Sequence, residues 1–214
     1  MPTSKIANLR KDYSLNGFSE QDVLENPIDQ FKRWFDEALN AQVIEPNAMH
    51  LSTVDSEGQP HGRIVLLKEV DNFSFVFYTN YNSNKSADLE KNPLASLTFW
   101  WAELERQVRI LGKVEKVSDA ESDAYFAIRP RGSQIGAWVS DQSKVIESRD
   151  VLNQKLAFYE AKFANTSIPR PPHWGGYRLI PSEIEFWQGR PNRLHDRIRY
   201  QFYEQNWQFE RLSP

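Results

Sequence analysis

The chain has 214 residues, 40% hydrophobic and 13% aromatic, which is enough to build one domain with a substantial core. Its 26 basic and 29 acidic side chains leave a formal net charge of −3, which argues against a general nucleic-acid binder. Without cysteine there is no disulfide framework, thiolate nucleophile or zinc-thiolate site, and no apolar run is long enough to span a bilayer.

The first residues, MPTSKIANLRKDYSLNG, hold no apolar core of a signal peptide, so a cytoplasmic location is expected. Asn26-Pro27 reads as an N-cap and first helical position. Ile28, Phe31, Trp34, Phe35, Ala38 and Leu39 then recur at helical spacing, predicting a helix from about Pro27 to Gln42. After Pro46 the period changes. AMHLSTV reads as a strand and DSEGQP as a turn. RIVLLKEV, FSFVFYTN, LASLTFWW and QVRILGKVEKV are further strands, rich in β-branched and aromatic residues. NKSADLEKNP is a short helix stopped by Pro93. Ser118 and Glu121 have capping-box spacing and open a helix through Ile128 that ends at Pro130. QIGAWVS reads as an aromatic strand. Another helix runs from about Ser148 to Phe163, and NTSIPRPPHWGG is a loop. YRLIPSEIEFWQG and DRIRYQFYEQNWQFERL give the last strands. The expectation is a mainly β, α+β fold: a β-barrel with peripheral helices, in one domain over residues 1–214.

Several chemistries are missing. There is no G-x-G-x-x-G turn, no Walker loop and no G-x-S-x-G elbow. The 4 histidines, His50, His61, His173 and His195, lack the close pairing of a metal site. Redox chemistry here needs an organic cofactor held without a Rossmann fingerprint.

Basic residues recur in four stretches. In GRIVLLKEV, Arg63, Val65 and Leu67 share one strand face and Ile64, Leu66 and Lys68 the other. Taken alone, snorkelling stems at strand ends explain both cations. Ser83, Lys85 and Ser86 follow Tyr78-Thr79 at a helix start, where either plain capping or a phosphate suits the free N–H groups. Tyr125 and Arg129 are one helical turn apart, and Arg129, Arg131 and Ser133 crowd a Pro-Gly bend, a candidate phosphate pocket. Gln142-Ser143 adds a polar pair. In IEFWQGRPNRLHDR, Gly189 breaks a strand, and Arg193, His195 and Arg197 are expected on one face of the next. Three such groups repel unless an anion or ring lies against them, and Asp196 is expected to point the other way.

IEFWQGRPNRLHDR resembles the signature of the pyridoxine/pyridoxamine 5′-phosphate oxidase family. RIVLLK, FYTN, LERQV, RPRGSQIGAWVS and HWGGYRL resemble its other motifs in the same order, from NLRKDY to the terminal RLSP. The resemblance implies an FMN-binding split β-barrel, a homodimer with FMN at the subunit interface. It implies oxidation of pyridoxamine or pyridoxine 5′-phosphate to pyridoxal 5′-phosphate, with O2 as acceptor and H2O2 as product. FMN contacts would be Arg63, Ile64, Val65, Leu66, Leu67, Lys68, Tyr78, Thr79, Lys85, Gln107, Gln142, Ser143, Trp187 and Arg197. Asn84 stands where similar enzymes often carry Arg, and could still donate a hydrogen bond to the FMN phosphate. Lys68, Tyr125, Arg129 and Ser133 would hold the substrate phosphate. Arg193, Leu194 and His195 would meet the ring, with Arg193 and His195 in catalytic roles. Residues Arg10, Lys11, Asp12 and Tyr13 would cover the substrate as a lid, within a mobile arm of about 1–26. Glu45 stands where Asp is expected and takes no role. No metal, nucleic acid or membrane partner is implied.

Three rival readings differ in what they need. A non-catalytic binder of FMN or pyridoxal phosphate has no use for Arg193 and His195 together. A flavin reductase on the same barrel would not need Tyr125, Arg129 and Ser133. A single-strand nucleic-acid binder stacking on the 7 tryptophans conflicts with the negative charge.

Overall fold

A computed structural model describes residues 6, 9 and 12–214 of the chain. Helix α1 (Pro27–Asn40) begins where the Asn26 side chain accepts a hydrogen bond from the Ile28 N–H at 2.8 Å. Its apolar stripe buries Ile28, Phe31, Trp34 and Ala38. It stops two residues earlier than its pattern, because Gln42 takes a left-handed φ of 55°. The strands are β1 (Ala48–Val54), β2 (Pro60–Leu66), β3 (Glu69–Val70), β4 (Phe75–Asn80), β5 (Leu94–Trp101) and β6 (Arg106–Lys116). They continue with β7 (Trp174–Gln188), β8 (Asp196–Tyr203) and β9 (Asn206–Arg211). The helices between them are α2 (Asn84–Lys91), α3 (Asp119–Ile128), α4 (Arg131–Val139) and α5 (Arg149–Lys162).

Among the described residues the strands form one sheet in the order β2-β1-β5-β6-β7-β4-β3, with β8 on β7 and β9 on β8. The mainly β fold with peripheral helices is therefore present. Strand β7 is 15 residues long and pairs with three strands, β6, β4 and β8. Its start pairs antiparallel with β4, Tyr78 opposite Gly176, and its end pairs with β8, Phe186 opposite Ile198. The expected strand RIVLLKEV is interrupted at Leu67-Lys68, giving β2 and the short β3. QIGAWVS is not a strand: it lies in α4, where Ile135 and Val139 are buried against Phe163 and Ile168. Packing overrides the two glycines that weaken this helix.

The chain forms two compact units. The first comprises Met1–Met49, Leu97–Leu111 and Pro181–Pro214; the second comprises His50–Ser96 and Gly112–Ile180. The first has an aromatic core in which Trp34 meets Phe186 edge-on at 5.1 Å and Phe31 meets Phe99 at 5.1 Å. Arg106 lies over the Trp34 ring at 4.3 Å and pairs with Glu37 at 2.5 Å. The second buries Phe126, Ile135, Val139, Phe163, Ile168 and Trp174 in one cluster. Gly112 of β6 is packed so closely that a Cβ there would lie 2.1 Å from the Ile180 carbonyl oxygen. No helix among the described residues is long and apolar enough to cross a membrane.

Candidate active site

The second unit contains a cavity of about 1250 Å³. One wall is β2 and the residues after it: Arg63, Ile64, Val65, Leu66 and Lys68 line it, whereas Leu67 is buried outside the lining. The β4 end contributes Tyr78 and Thr79, and the start of α2 contributes Asn84 and Lys85. Tyr125, Arg129 and Ser133 come from the α3–α4 junction, and Gln142 and Ser143 from the loop after α4. Segments far apart in sequence thus converge on one cavity.

Two cationic poles stand out. At the first, Lys85 is 9% exposed, and its ammonium donates to Thr79 Oγ1 and Ser83 Oγ, each at 3.0 Å, and to Gln142 Oε1 at 2.6 Å. All three acceptors are neutral. Desolvation, helped by the charge on Arg63, lowers its pKa to about 8. The Asn84 main-chain N–H donates to Ser143 Oγ at 3.3 Å, joining α2 to the loop. Arg63 is half-buried, and burial lowers its pKa against the opposing pull of Asp88.

At the second pole Arg129 caps the end of α3. Its guanidinium lies 4.4 Å from the Trp174 ring centroid, and its buried Nη1 has no hydrogen-bond partner among the described residues. Burial lowers its pKa, with Tyr125 opposing. Tyr125 stacks on Tyr78 at 4.0 Å, and Tyr78 on Trp174 at 5.4 Å. Gly176 makes room for this stack, since a Cβ there would sit 2.8 Å from the Tyr78 ring. Arg131 turns away, donating to the carbonyls of Phe163 and Thr166. It ties down the end of α5 and is not among the residues that line the cavity.

The first unit holds the other group. Trp187, the penultimate residue of β7, has the His195 ring at 4.5 Å and the Tyr13 ring at 5.6 Å. The expected strand through Arg193 and His195 is not formed. Pro191–Arg193 make a 3-10 turn with Asn192 and Arg193 at left-handed φ of 57° and 62°, and β8 starts only at Asp196. The turn is closed by the Leu194 N–H on the Pro191 carbonyl and the Arg190 N–H on His195 Nδ1, at 3.1 Å. Accepting that bond at Nδ1 leaves the neutral ring's proton on Nε2. Burial, then the charge on Arg193, lowers the His195 pKa, while Asp196 opposes.

The charges beside this turn are more paired than the sequence suggested. Asp196 takes Arg211 at 2.7 Å and Arg190 at 3.4 Å. Arg197 donates to Glu185 at 2.8 Å and to the Ser213 carbonyl at 2.9 Å. Leu194 is 69% exposed, Gln107 is half-buried in β6, and Asp12 is exposed. Arg10 and Lys11 lie outside the described residues.

Sequence reasoning missed His61 and Trp174, which line the cavity, and Asp88 behind it. His61 could have been found as the same-face neighbour of Arg63, two residues back on one strand. Among the described residues no group of three or more His, Asp or Glu is placed to hold a metal ion.

Solved structures share this architecture. PhzG from Burkholderia lata, solved with tetrahydrophenazine-1-carboxylic acid, superposes with a TM-score of 0.89 at 30% identity, covering 95% of this chain and 100% of that one. A pyridoxamine 5′-phosphate oxidase-related, FMN-binding protein from Nostoc punctiforme gives a TM-score of 0.69 at 17% identity, covering 86% and 97%. The fold is thus of the split β-barrel class with peripheral helices. Residues 35–162 match the pyridoxamine 5′-phosphate oxidase family, and residues 174–214 its pyridoxine 5′-phosphate oxidase C-terminal dimerisation region. A pyridoxine/pyridoxamine 5′-phosphate oxidase of Nostoc punctiforme is 60% identical over 210 residues, 98% of each chain, and one of Cupriavidus necator is 58% identical over 212 residues, 99% of this chain and 100% of that one. The chain belongs to the pyridoxine/pyridoxamine 5′-phosphate oxidase family of oxidoreductases.

Proposed function

We propose that this chain oxidises pyridoxamine 5′-phosphate and pyridoxine 5′-phosphate to pyridoxal 5′-phosphate, using FMN, with O2 as electron acceptor and H2O2 as product. One observation carries the reading. The cavity is lined by Arg63, Lys68, Lys85 and Arg129, and no carboxylate is among the described residues that line it. Of these, Lys85 and Arg129 are desolvated with no carboxylate paired to them among the described residues, a costly state unless an anion completes them, whereas Arg63 has Asp88 at 3.7 Å and Lys68 is exposed. Two poles suit two phosphate esters, one of the cofactor and one of the substrate.

The donor set fits FMN. Arg63 and Lys85, with Thr79, Asn84, Gln142 and Ser143, would take its phosphate, and Ile64, Val65, Leu66 and Tyr78 offer surface for its ring. Gln107, Trp187 and Arg197 are further candidate contacts; the ion pair of Arg197 with Glu185 would fix its guanidinium. When bound, FMN supplies the two-electron acceptor for the substrate's C4′ and passes those electrons to O2. The remaining work falls to side chains. Arg129, Ser133, Tyr125 and Lys68 would grip the substrate phosphate, using binding energy remote from C4′ to fix the ring. Arg193 has a flat cation suited to lie against the pyridine. His195, with its proton on Nε2, would orient or exchange a proton with the C4′ substituent. Tyr13, already beside Trp187 and His195, would act within a covering arm of residues 1–26.

The match to a dimerisation region supports a homodimer; FMN would lie at its subunit interface. The whole chain would act as one domain in the cytoplasm. The test is direct: purify the protein, record its flavin spectrum, then add pyridoxamine 5′-phosphate in air and follow aldehyde and peroxide. A colourless protein that restored FMN does not activate would refute the proposal. So would release of FAD on denaturation.

A further inference from the structure

Asp88 of α2 is a buried carboxylate, 6% exposed, and it is not part of the cavity lining. Its Oδ2 accepts from Thr53 Oγ1 at 2.6 Å and meets His61 Nδ1 at 3.0 Å. Burial pushes its pKa up, but the hydrogen bonds from Thr53 and His61 and the charges of His61 and Arg63 outweigh that and hold it below the usual value. An ionised Asp88 makes His61 Nδ1 the donor, which fixes the ring's tautomer.

Thr53 is a relay. Its hydroxyl donates to Asp88 and accepts from Arg63 Nη1 at 2.7 Å. The same Nη1 also donates to the Leu51 carbonyl at 3.1 Å. Both of its hydrogens are therefore committed to β1, and recognition of an anion falls to Nε and Nη2. Arg63 Nη2 lies 3.7 Å from Asp88 Oδ2, beyond hydrogen-bond range but close enough to feel its charge. His61 and Arg63 both line the cavity, so the carboxylate behind them sets the posture of two groups that face it.

We infer that Asp88 is a positioning residue for the phosphate of the bound flavin: through the Thr53 hydroxyl and its own contact with His61 it holds Arg63 and His61 in the posture that receives the dianion. The inference rests on the proposed FMN reading. It also makes a prediction of unusual sign. Removing a negative charge close to Arg63 makes the cavity more positive, so Coulomb's law alone expects tighter anion binding. Positioning expects the reverse, because a guanidinium free to rotate loses its aim.

The experiment titrates full-length, flavin-stripped protein with FMN and, separately, with riboflavin, following quenching of flavin fluorescence. Riboflavin lacks the phosphate and reports the ring site alone. The variants are Asp88→Asn, nearly isosteric, and Thr53→Val, which removes the relay while leaving both charges. Both should bind FMN about tenfold more weakly, part of the strength of one charge-assisted contact, and bind riboflavin as the wild type does. FMN affinity that is unchanged or raised in Asp88→Asn overturns the inference. An equal loss for FMN and riboflavin overturns it too, because the network is then general scaffolding. A wild-type protein that binds neither flavin, or both alike, defeats the FMN reading itself and the inference with it.

Discussion

Lys85 makes the strongest commitment about pH. Its ammonium is surrounded by neutral oxygens, and its pKa falls to about 8 through desolvation and the charge of Arg63. A phosphate dianion beside it would favour the charged form and raise that pKa again. Anion binding is then coupled to one proton, and affinity drops as Lys85 deprotonates in the free protein. With one linked proton, FMN affinity should fall about 30-fold between about pH 7 and pH 9.5, approaching tenfold per pH unit at the alkaline end. The phosphate itself contributes little, because its second ionisation lies near pH 6. Fluorescence titration of flavin-stripped protein across this range measures the slope, and Lys85→Met should bind weakly with little slope. A second consequence has the opposite sense. Between about 8 and the ordinary lysine value of 10.5 the unfolded chain holds the Lys85 proton more tightly than the folded one. Flavin-free stability should therefore rise through that window relative to Lys85→Met, by roughly 3 kcal/mol at most. A flat wild-type binding profile, or the same slope in Lys85→Met, would refute this account of the pole.

Other expectations concern single positions. Arg129→Ala should lose about 1.5–3 kcal/mol of affinity for pyridoxal 5′-phosphate, roughly ten- to a hundredfold; equal turnover of pyridoxamine and its phosphate would contradict the pocket. Arg193→Lys should slow anaerobic single-turnover flavin reduction while keeping FMN content, and His195→Asn should do less harm; wild-type reduction by Arg193→Lys would sink the assignment. Arg193→Ala should move the His195 titration, followed by NMR, to higher pH, because a neighbouring positive charge is removed. Gly112→Ala should destabilise by about 1–3 kcal/mol through overpacking against the Ile180 carbonyl, visible as a lower melting temperature.

The helices with chemical punctuation were legible from sequence. Asn26 caps α1 and the Ser118–Glu121 capping box opens α3, both as their spacing implies. The strands were legible from their β-branched and aromatic runs. Helix α4 was not, because Gly132 and Gly136 lower its propensity and QIGAWVS imitates alternation. Only contact with α5 and Ile168 settles it. The turn at Asn192-Arg193 was hidden for a related reason: arginine rarely adopts positive φ, so nothing local announced it. Of the site, the grouping of Arg63, Lys85, Tyr125 and Arg129 in one cavity follows the motif reading. Asp88 escaped because its significance lies in Thr53, His61 and Arg63, partners on strands that sequence spacing does not bring together.

The carboxylate-free lining of the cavity also bears on how ligands arrive. The chain as a whole carries a formal charge of −3, so its cations at Arg63, Lys68, Lys85 and Arg129 form a positive recess within an acidic molecule. Field lines concentrate in such a recess and extend about a Debye length, roughly 8 Å at physiological salt. On the proposed reading, a phosphate ester crossing that distance would be drawn inward and turned phosphate-first before any contact forms, guidance its unphosphorylated counterpart would not receive. Discrimination between them would then begin in the rate of encounter, and added salt would erode that share of selectivity while leaving the contact geometry untouched.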